Sequence, residues 1–326
     1  MQVITRIGNW QKELLPLLPP VCAQALQGLP EQTQAQLQEI RIRVNQPLAI
    51  RWGEDDRFVD GRGGLHRQPE GLPVLAPSQC QDIYRQLVEY SPYAKADEIR
   101  QGFVTLRGGY RAGICGHAVK DGASIRTISP CTAINLRIPR QVLGAANPVM
   151  RALRGPSGRV RNTLILSPPR LGKTTLIRDI IRQLSGGLDG GPPQQVALVD
   201  ERSEIAACFQ GQPQCDVGPR TDVMDGCAKV EGMMLMLRSM APQVLATDEI
   251  GRAADAEAVL EALHSGVAVV VTAHGSSLEE VRRRPALDNL LGQRVFDVII
   301  ELSGKAGRIG RLLQRGTSGW QEGGAA

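Results

Sequence analysis

The chain has 326 residues, long enough for two domains that each bury a core of their own. Charged residues make up 22%, the formal net charge is +5 and aromatic residues are 3%. Those values exclude a disordered acidic tail or a histone-like basic arm and leave few stacking platforms for single-stranded nucleic acid. The seven cysteines are scattered and odd in number, with no C-x-x-C pair, so they read as reduced, buried small hydrophobes, not as a disulfide framework or a metal site.

At the N-terminus no apolar run reaches signal-peptide length. The longest run in the chain, Gly266 to Ala273, is well under half of the roughly 20 residues needed to cross a bilayer. A cytoplasmic protein with at most peripheral membrane contact is expected. Helical periodicity runs over Ala23 to Leu37, after which Ile40, Ile42 and Val44 alternate with Arg41 and Arg43 as in a half-buried strand. The glycine- and proline-rich stretch from Gly53 to Pro77 reads as a hairpin plus loop. A helix over Ser78 to Val88 follows, then two strands joined by the Gly108-Gly109 turn, and IRTISPCTAINLRIPR reads as another strand pair. Residues 1–148 are therefore expected to form a mixed α+β domain, with the boundary in the glycine-rich stretch Gly144 to Gly158.

From residue 149 the pattern changes. Strands at Thr163–Leu166, Val196–Val199, Val244–Ala246 and Val267–Thr272 alternate with helices from Lys173, around Val230–Met240 and over Ala254–Ser265. Apolar, β-branched strands of this kind, alternating with helices, indicate a parallel sheet covered on both faces. Gly186 to Pro193 reads as a surface loop within this domain.

The segment that carries the chemistry is Ser167-Pro168-Pro169-Arg170-Leu171-Gly172-Lys173-Thr174-Thr175, between an apolar strand and an amphipathic helix. Its spacing is that of G-x-x-x-x-G-K-[ST], with serine in place of the first glycine. Such a loop aims backbone N–H groups and a helix N-terminus at phosphates; Lys173 would reach the β- and γ-phosphates and the Thr174 hydroxyl would join a magnesium shell. The expected fold class is thus α/β, a RecA-like P-loop NTPase domain over 149–326. Downstream, the strand Val244–Thr247 ends in Asp248-Glu249, where Asp248 can hold magnesium and Glu249 can orient an attacking water. Two more strand ends reach the same sheet edge: Asp200-Glu201, with Glu204 one turn on in a predicted helix, and Thr272-Ala273-His274. Glu201 could help to position water or metal, and Thr272 or His274 could sense the terminal phosphate.

The order P-loop, acidic box, LRSMAPQVLATDEIG with Arg238 four residues before Pro242, and TAHGSS resembles the type II, type IV and pilus-retraction secretion ATPases. IRTISPCTAINLRIPR is similar to their N-terminal segment, and the resemblance implies that Arg126 and Arg137 close on the phosphates. LQEIRIRVNQPLAI, EYSPYAKADEIRQGFVTLRGGYRAGICGHAV and the ATPase motifs together resemble the stage III sporulation AA family from about residue 16 to residue 315. That resemblance implies an ATP- and magnesium-dependent ATPase of endospore formers, made in the mother cell and attached to the channel complex that links it to the forespore. It also implies self-assembly into a ring, a hexamer by analogy with secretion motors, and membrane contact through partner proteins. Three departures stand out: Ser167, Asp248 where secretion ATPases carry glycine, and an unpatterned tail after Leu313. Two other readings stay open. One is a nucleic-acid-dependent ATPase using Arg41, Arg43, Arg107 and Arg111, which the scarcity of aromatic residues disfavours. The other is a nucleotide-gated scaffold with little hydrolysis, against which Lys173 and Glu249 together argue.

Overall fold

The computed structural model describes residues 3–6, 9–89, 95–100, 102–122, 124–155, 158–305, 307–317 and 319–323. Parts of the sequence readings at 90–94 and of the boundary stretch at 156–157 lie outside them. The chain divides into two compact units, one of residues 6–140 and one of residues 141–326 together with residues 1–5.

The unit 6–140 is built on a seven-stranded antiparallel sheet in the order Leu65–His66, Asp55–Val59, Ala49–Trp52, Leu37–Arg43, Ser124–Arg137, Arg111–Asp121, Phe103–Thr105. Ile40 and Ile42 are fully buried while Arg41 and Arg43 are partly exposed, as period-two alternation requires. The helix expected over Ala23–Leu37 is instead two short helices, Pro20–Gln27 and Glu31–Gln36, and Leu37 already belongs to the strand. Pro30, which lacks an N–H, and Gly28 interrupt the first helix. IRTISPCTAINLRIPR is also corrected: Ser124–Arg137 is one long strand, and Arg140–Leu143 pairs with Val3–Arg6 in a separate two-stranded sheet. Pro130 is tolerated inside the long strand because the ladder to Arg111–Asp121 shifts register around Gly116.

The unit 141–326 carries an eight-stranded sheet in the order Thr221–Asp225, Val196–Asp200, Val244–Thr247, Ala268–His274, Thr163–Ser167, Val298–Leu302, Ile309–Gly316, Gly319–Glu322. The first six run parallel and the last two add an antiparallel hairpin. Thr163–Ser167, Val196–Asp200, Val244–Thr247 and Val298–Leu302 are buried at every position, which explains their largely apolar sequences, with Asp200 and Glu301 as buried carboxylates. Two apolar clusters cover the sheet, one around Leu164, Val199, Met233 and Phe296, the other around Ile165, Ile177, Ile180 and Leu198. The tail after Leu313, unpatterned in sequence, nonetheless forms part of a hairpin: Leu313 pairs with Glu322, and the Arg315 guanidinium lies 4.8 Å from the centre of the Trp320 ring. Among the described residues no helix is long and apolar enough to cross a membrane.

Candidate functional site

Adjacent parallel strands deliver their C-terminal ends to one edge of the sheet. Thr163–Ser167 pairs with Ala268–His274, bringing Ser167 into register with His274, and Ala268–His274 in turn pairs with Val244–Thr247. The loop after Ser167 therefore opens beside His274, with Asp248-Glu249 one strand further on. Ser167 is fully buried and its Oγ donates to the Pro168 carbonyl at 2.6 Å, so the serine side chain folds back on its own loop. Pro168 and Pro169 carry the chain out to Arg170 (φ 65°) and, past Leu171, to Gly172 (φ 94°), both left-handed. At Gly172 a Cβ would stand 3.1 Å from the Gly307 N, whose N–H donates to the Leu171 carbonyl at 2.8 Å, so the left-handed backbone calls for glycine and the space beside it is tight. The helix Lys173–Gly186 starts immediately afterwards with no side-chain cap, which leaves first-turn N–H groups at the mouth of the loop. Thr174 and Thr175 sit in that turn and are partly exposed.

Lys173 Nζ donates to Glu249 Oε1 at 3.0 Å. Glu249 is itself left-handed (φ 44°), its N–H donates to Thr272 Oγ1 at 2.8 Å, its carbonyl accepts from Lys229 Nζ at 2.9 Å, and Oε2 lies 3.8 Å from Arg202. Burial opposes ionisation of this carboxyl, but the Lys173 hydrogen bond and charge, with Arg202 and His274, outweigh it and hold it below the usual carboxylate range. Its neighbour Asp248 is pushed the other way. Burial raises it, Lys229 at 4.0 Å offsets part of the rise, and the charges of Glu204 and Glu249 add to it.

Asp200 is completely buried and accepts from the N–H groups of Glu204, Ile205 and Ala206 at 2.8, 2.9 and 2.8 Å. Burial drives its carboxyl up to about 6, against those hydrogen bonds. Its role here is to cap the segment after the strand, and Arg178 grips the same segment through the carbonyls of Ile205 and Glu204, the latter at 2.7 Å. No helix follows Asp200-Glu201, so Glu204 lies on an irregular segment, exposed, and not one helical turn on. Glu201 Oε2 is 3.7 Å from Lys229 Nζ. His274 is exposed at its strand end, and its carbonyl accepts from Arg284 at 2.5 Å. A cleft of about 310 Å³ opens beside these groups, lined by Glu201, Arg202, Lys229, Asp248, Glu249 and Arg252 among others.

The structure thus gathers Lys173, Asp248, Glu249, Glu201, Thr272 and His274 at one sheet edge. Arg126 and Arg137 are exposed on the strand Ser124–Arg137 of the other unit, with Arg137 opposite Glu39. Of the arginines considered for nucleic acid, Arg41 is paired with Glu39 at 2.6 Å and the Arg111 guanidinium covers the Phe103 ring at 4.6 Å. Sequence reasoning missed Lys229, Arg178 and Arg202. For Lys229 a signal existed: a lysine at the start of a helix opposes the macrodipole and calls for a reason. The uncapped first turn of the helix Lys173–Gly186 offers N–H donors to an anion, and a hydroxyl (Thr174) with a carboxylate (Asp248) is a hard-oxygen donor set, so these residues suit a nucleotide phosphate and magnesium.

The chain is an α/β protein whose fold matches that of solved ATPases. The ATPase DotB of Yersinia pseudotuberculosis superposes with a TM-score of 0.57 at 14% identity, over 97% of this chain and 80% of that one. DotB of Legionella pneumophila gives 0.52 at 17% identity, over 81% and 71%. The chain belongs to the family "Sporulation stage III, protein AA", whose sequence model matches residues 12–318. It is 41% identical over 293 residues to stage III sporulation protein AA of Bacillus subtilis, covering 89% of this chain and 90% of that protein.

Proposed function

We propose that this chain hydrolyses ATP with magnesium and serves as the motor subunit of a secretion-like channel complex in sporulation. The observation that carries the reading is the 3.0 Å contact between Lys173, at the mouth of the phosphate loop, and Glu249, beside the buried Asp248. The backbone of 167–172 and the N-terminus of the helix Lys173–Gly186 receive the phosphates, with Thr175 beside Thr174 in the first turn. Lys173 exchanges the Glu249 carboxylate for phosphate oxygens. The Thr174 hydroxyl and Asp248 would hold magnesium, which would supply positive charge against that developing on the phosphate oxygens. Glu249, still tied through its N–H and carbonyl, is left ionised to orient the attacking water. Glu201 and His274 flank it, and Arg126 and Arg137 are candidates for closing on the phosphates from the N-terminal unit.

Membership of the sporulation family supports a place in the mother-cell cytoplasm, peripheral to a membrane complex whose channel proteins are the partners. The secretion-ATPase architecture supports assembly with other copies of the chain into a ring, a hexamer by analogy. ATP binding and turnover by wild type and Lys173→Ala test the core of this reading. The variant is expected to bind ATP at least about tenfold more weakly and to turn it over about a hundredfold or more slowly. Equal binding and turnover by the two proteins would contradict it.

A further inference from the structure

Lys229 opens the helix Lys229–Ser239 with its ammonium turned in toward the strand ends, its side chain only 8% exposed. A cation there faces the positive end of the helix macrodipole, so local preference works against it. It is retained by the Glu249 carbonyl at 2.9 Å, Glu201 at 3.7 Å and Asp248 at 4.0 Å. Gly232, almost one turn on, makes the approach possible. A Cβ at that position would stand 2.7 Å from Val199 Cγ1, so the helix lies closer to the strand Val196–Asp200 than a residue with a side chain allows. A buried charge cluster is a weak source of stability, since an apolar residue of like volume commonly serves as well. Its value must be sought in what it orients and what charge it balances.

We propose that Lys229 is a positioning residue of the ATPase site, a resident cation with two effects. Through the Glu249 carbonyl it fixes the turn that carries Asp248 and Glu249. Through its charge it offsets the Glu201 and Asp248 carboxylates and so limits how tightly a divalent cation is held beside the nucleotide. This inference rests on the ATP- and magnesium-binding reading of the same strand ends, and goes beyond it by assigning the counter-charge that tunes the metal.

The test is magnesium-dependent binding of a fluorescent ATP analogue to the full chain at pH 8, for wild type, Lys229→Met, Lys229→Gln and Lys229→Arg, with thermal melts alongside. In EDTA, Lys229→Arg is expected to bind the analogue as wild type does, and the affinity of the two neutral variants there sets the baseline from which their magnesium effect is read. The magnesium concentration at half-effect should fall about tenfold in Lys229→Met and Lys229→Gln, and return to the wild-type value in Lys229→Arg. Removal of a unit charge a few ångströms from a carboxylate in a medium of intermediate dielectric acts in that direction and on that scale. Magnesium midpoints equal to wild type in both neutral variants overturn the proposal, as does a loss of analogue binding in EDTA that tracks a lowered melting temperature. If wild type binds ATP without hydrolysing it, the motor reading fails while the midpoints still decide the role of Lys229. If wild type binds no ATP, both fall together.

Discussion

Glu249 is held at its N–H, its carbonyl and its carboxylate by three different strand ends or helices, and it adopts a left-handed conformation to satisfy them. Backbone strain of that kind persists where the surroundings over-determine a residue, as they do at sites of chemistry. Asp200 is the complementary case, a buried carboxylate that builds the site without facing it. Its carboxyl sits at about 6 in the fold against an ordinary value of 3.8, so between these values the folded protein binds the extra proton. The contribution of Asp200 to stability is therefore fullest below about pH 4 and is lost as pH rises through about 6. The melting temperature of wild type minus that of Asp200→Asn should widen by several degrees as pH falls from about 7.5 to about 5. A gap that stays flat or narrows would show that burial does not control this group. Lys173, Asp248 and Glu249 were legible in the sequence because spacing along one strand–loop or strand end defines them. Arg178 was not, because its significance lies in a contact across the fold with a residue 27 positions away, and Lys229 was marked only by its place at a helix start, its partner lying 20 positions away.

Elements buried on both faces announced themselves, and elements at the sheet's margins did not. Thr163–Ser167 and Val244–Thr247 read as strands because every side chain is apolar or small and enclosed. Thr221–Asp225 is an edge strand with mixed exposure and two aspartates, and the hairpin Ile309–Gly316 with Gly319–Glu322 is largely polar on its outer side, so neither gave a period to detect. The helix Lys229–Ser239 was visible from its apolar residues, yet its depth depends on Gly232, a helix-interior glycine that propensity alone counts as a fault. Gly232→Ala should push this helix off Val199, lower the melting temperature by several degrees and slow ATP turnover as Lys229 is displaced. A melt within a degree of wild type, with turnover intact, would mean that the close approach can relax without consequence.

At the level of the whole chain, the unit 141–326 contains the phosphate loop and both acidic strand ends, while the arginines inferred to close on the nucleotide belong to the unit 6–140. The proposed motor role implies more than one copy of the chain around the transferring phosphate. Light scattering with Glu249→Gln and ATP should therefore reveal a nucleotide-promoted multiple of the 35.2 kDa chain, and a monomer at every concentration would count against a ring. The central claim is tested most directly by magnesium-dependent ATP hydrolysis in wild type and Glu249→Gln, with ATP affinity measured on both. The account predicts that the variant keeps ATP affinity within a few-fold while turnover falls by about a hundredfold or more. A Glu249→Gln protein that hydrolyses ATP as fast as wild type would contradict it.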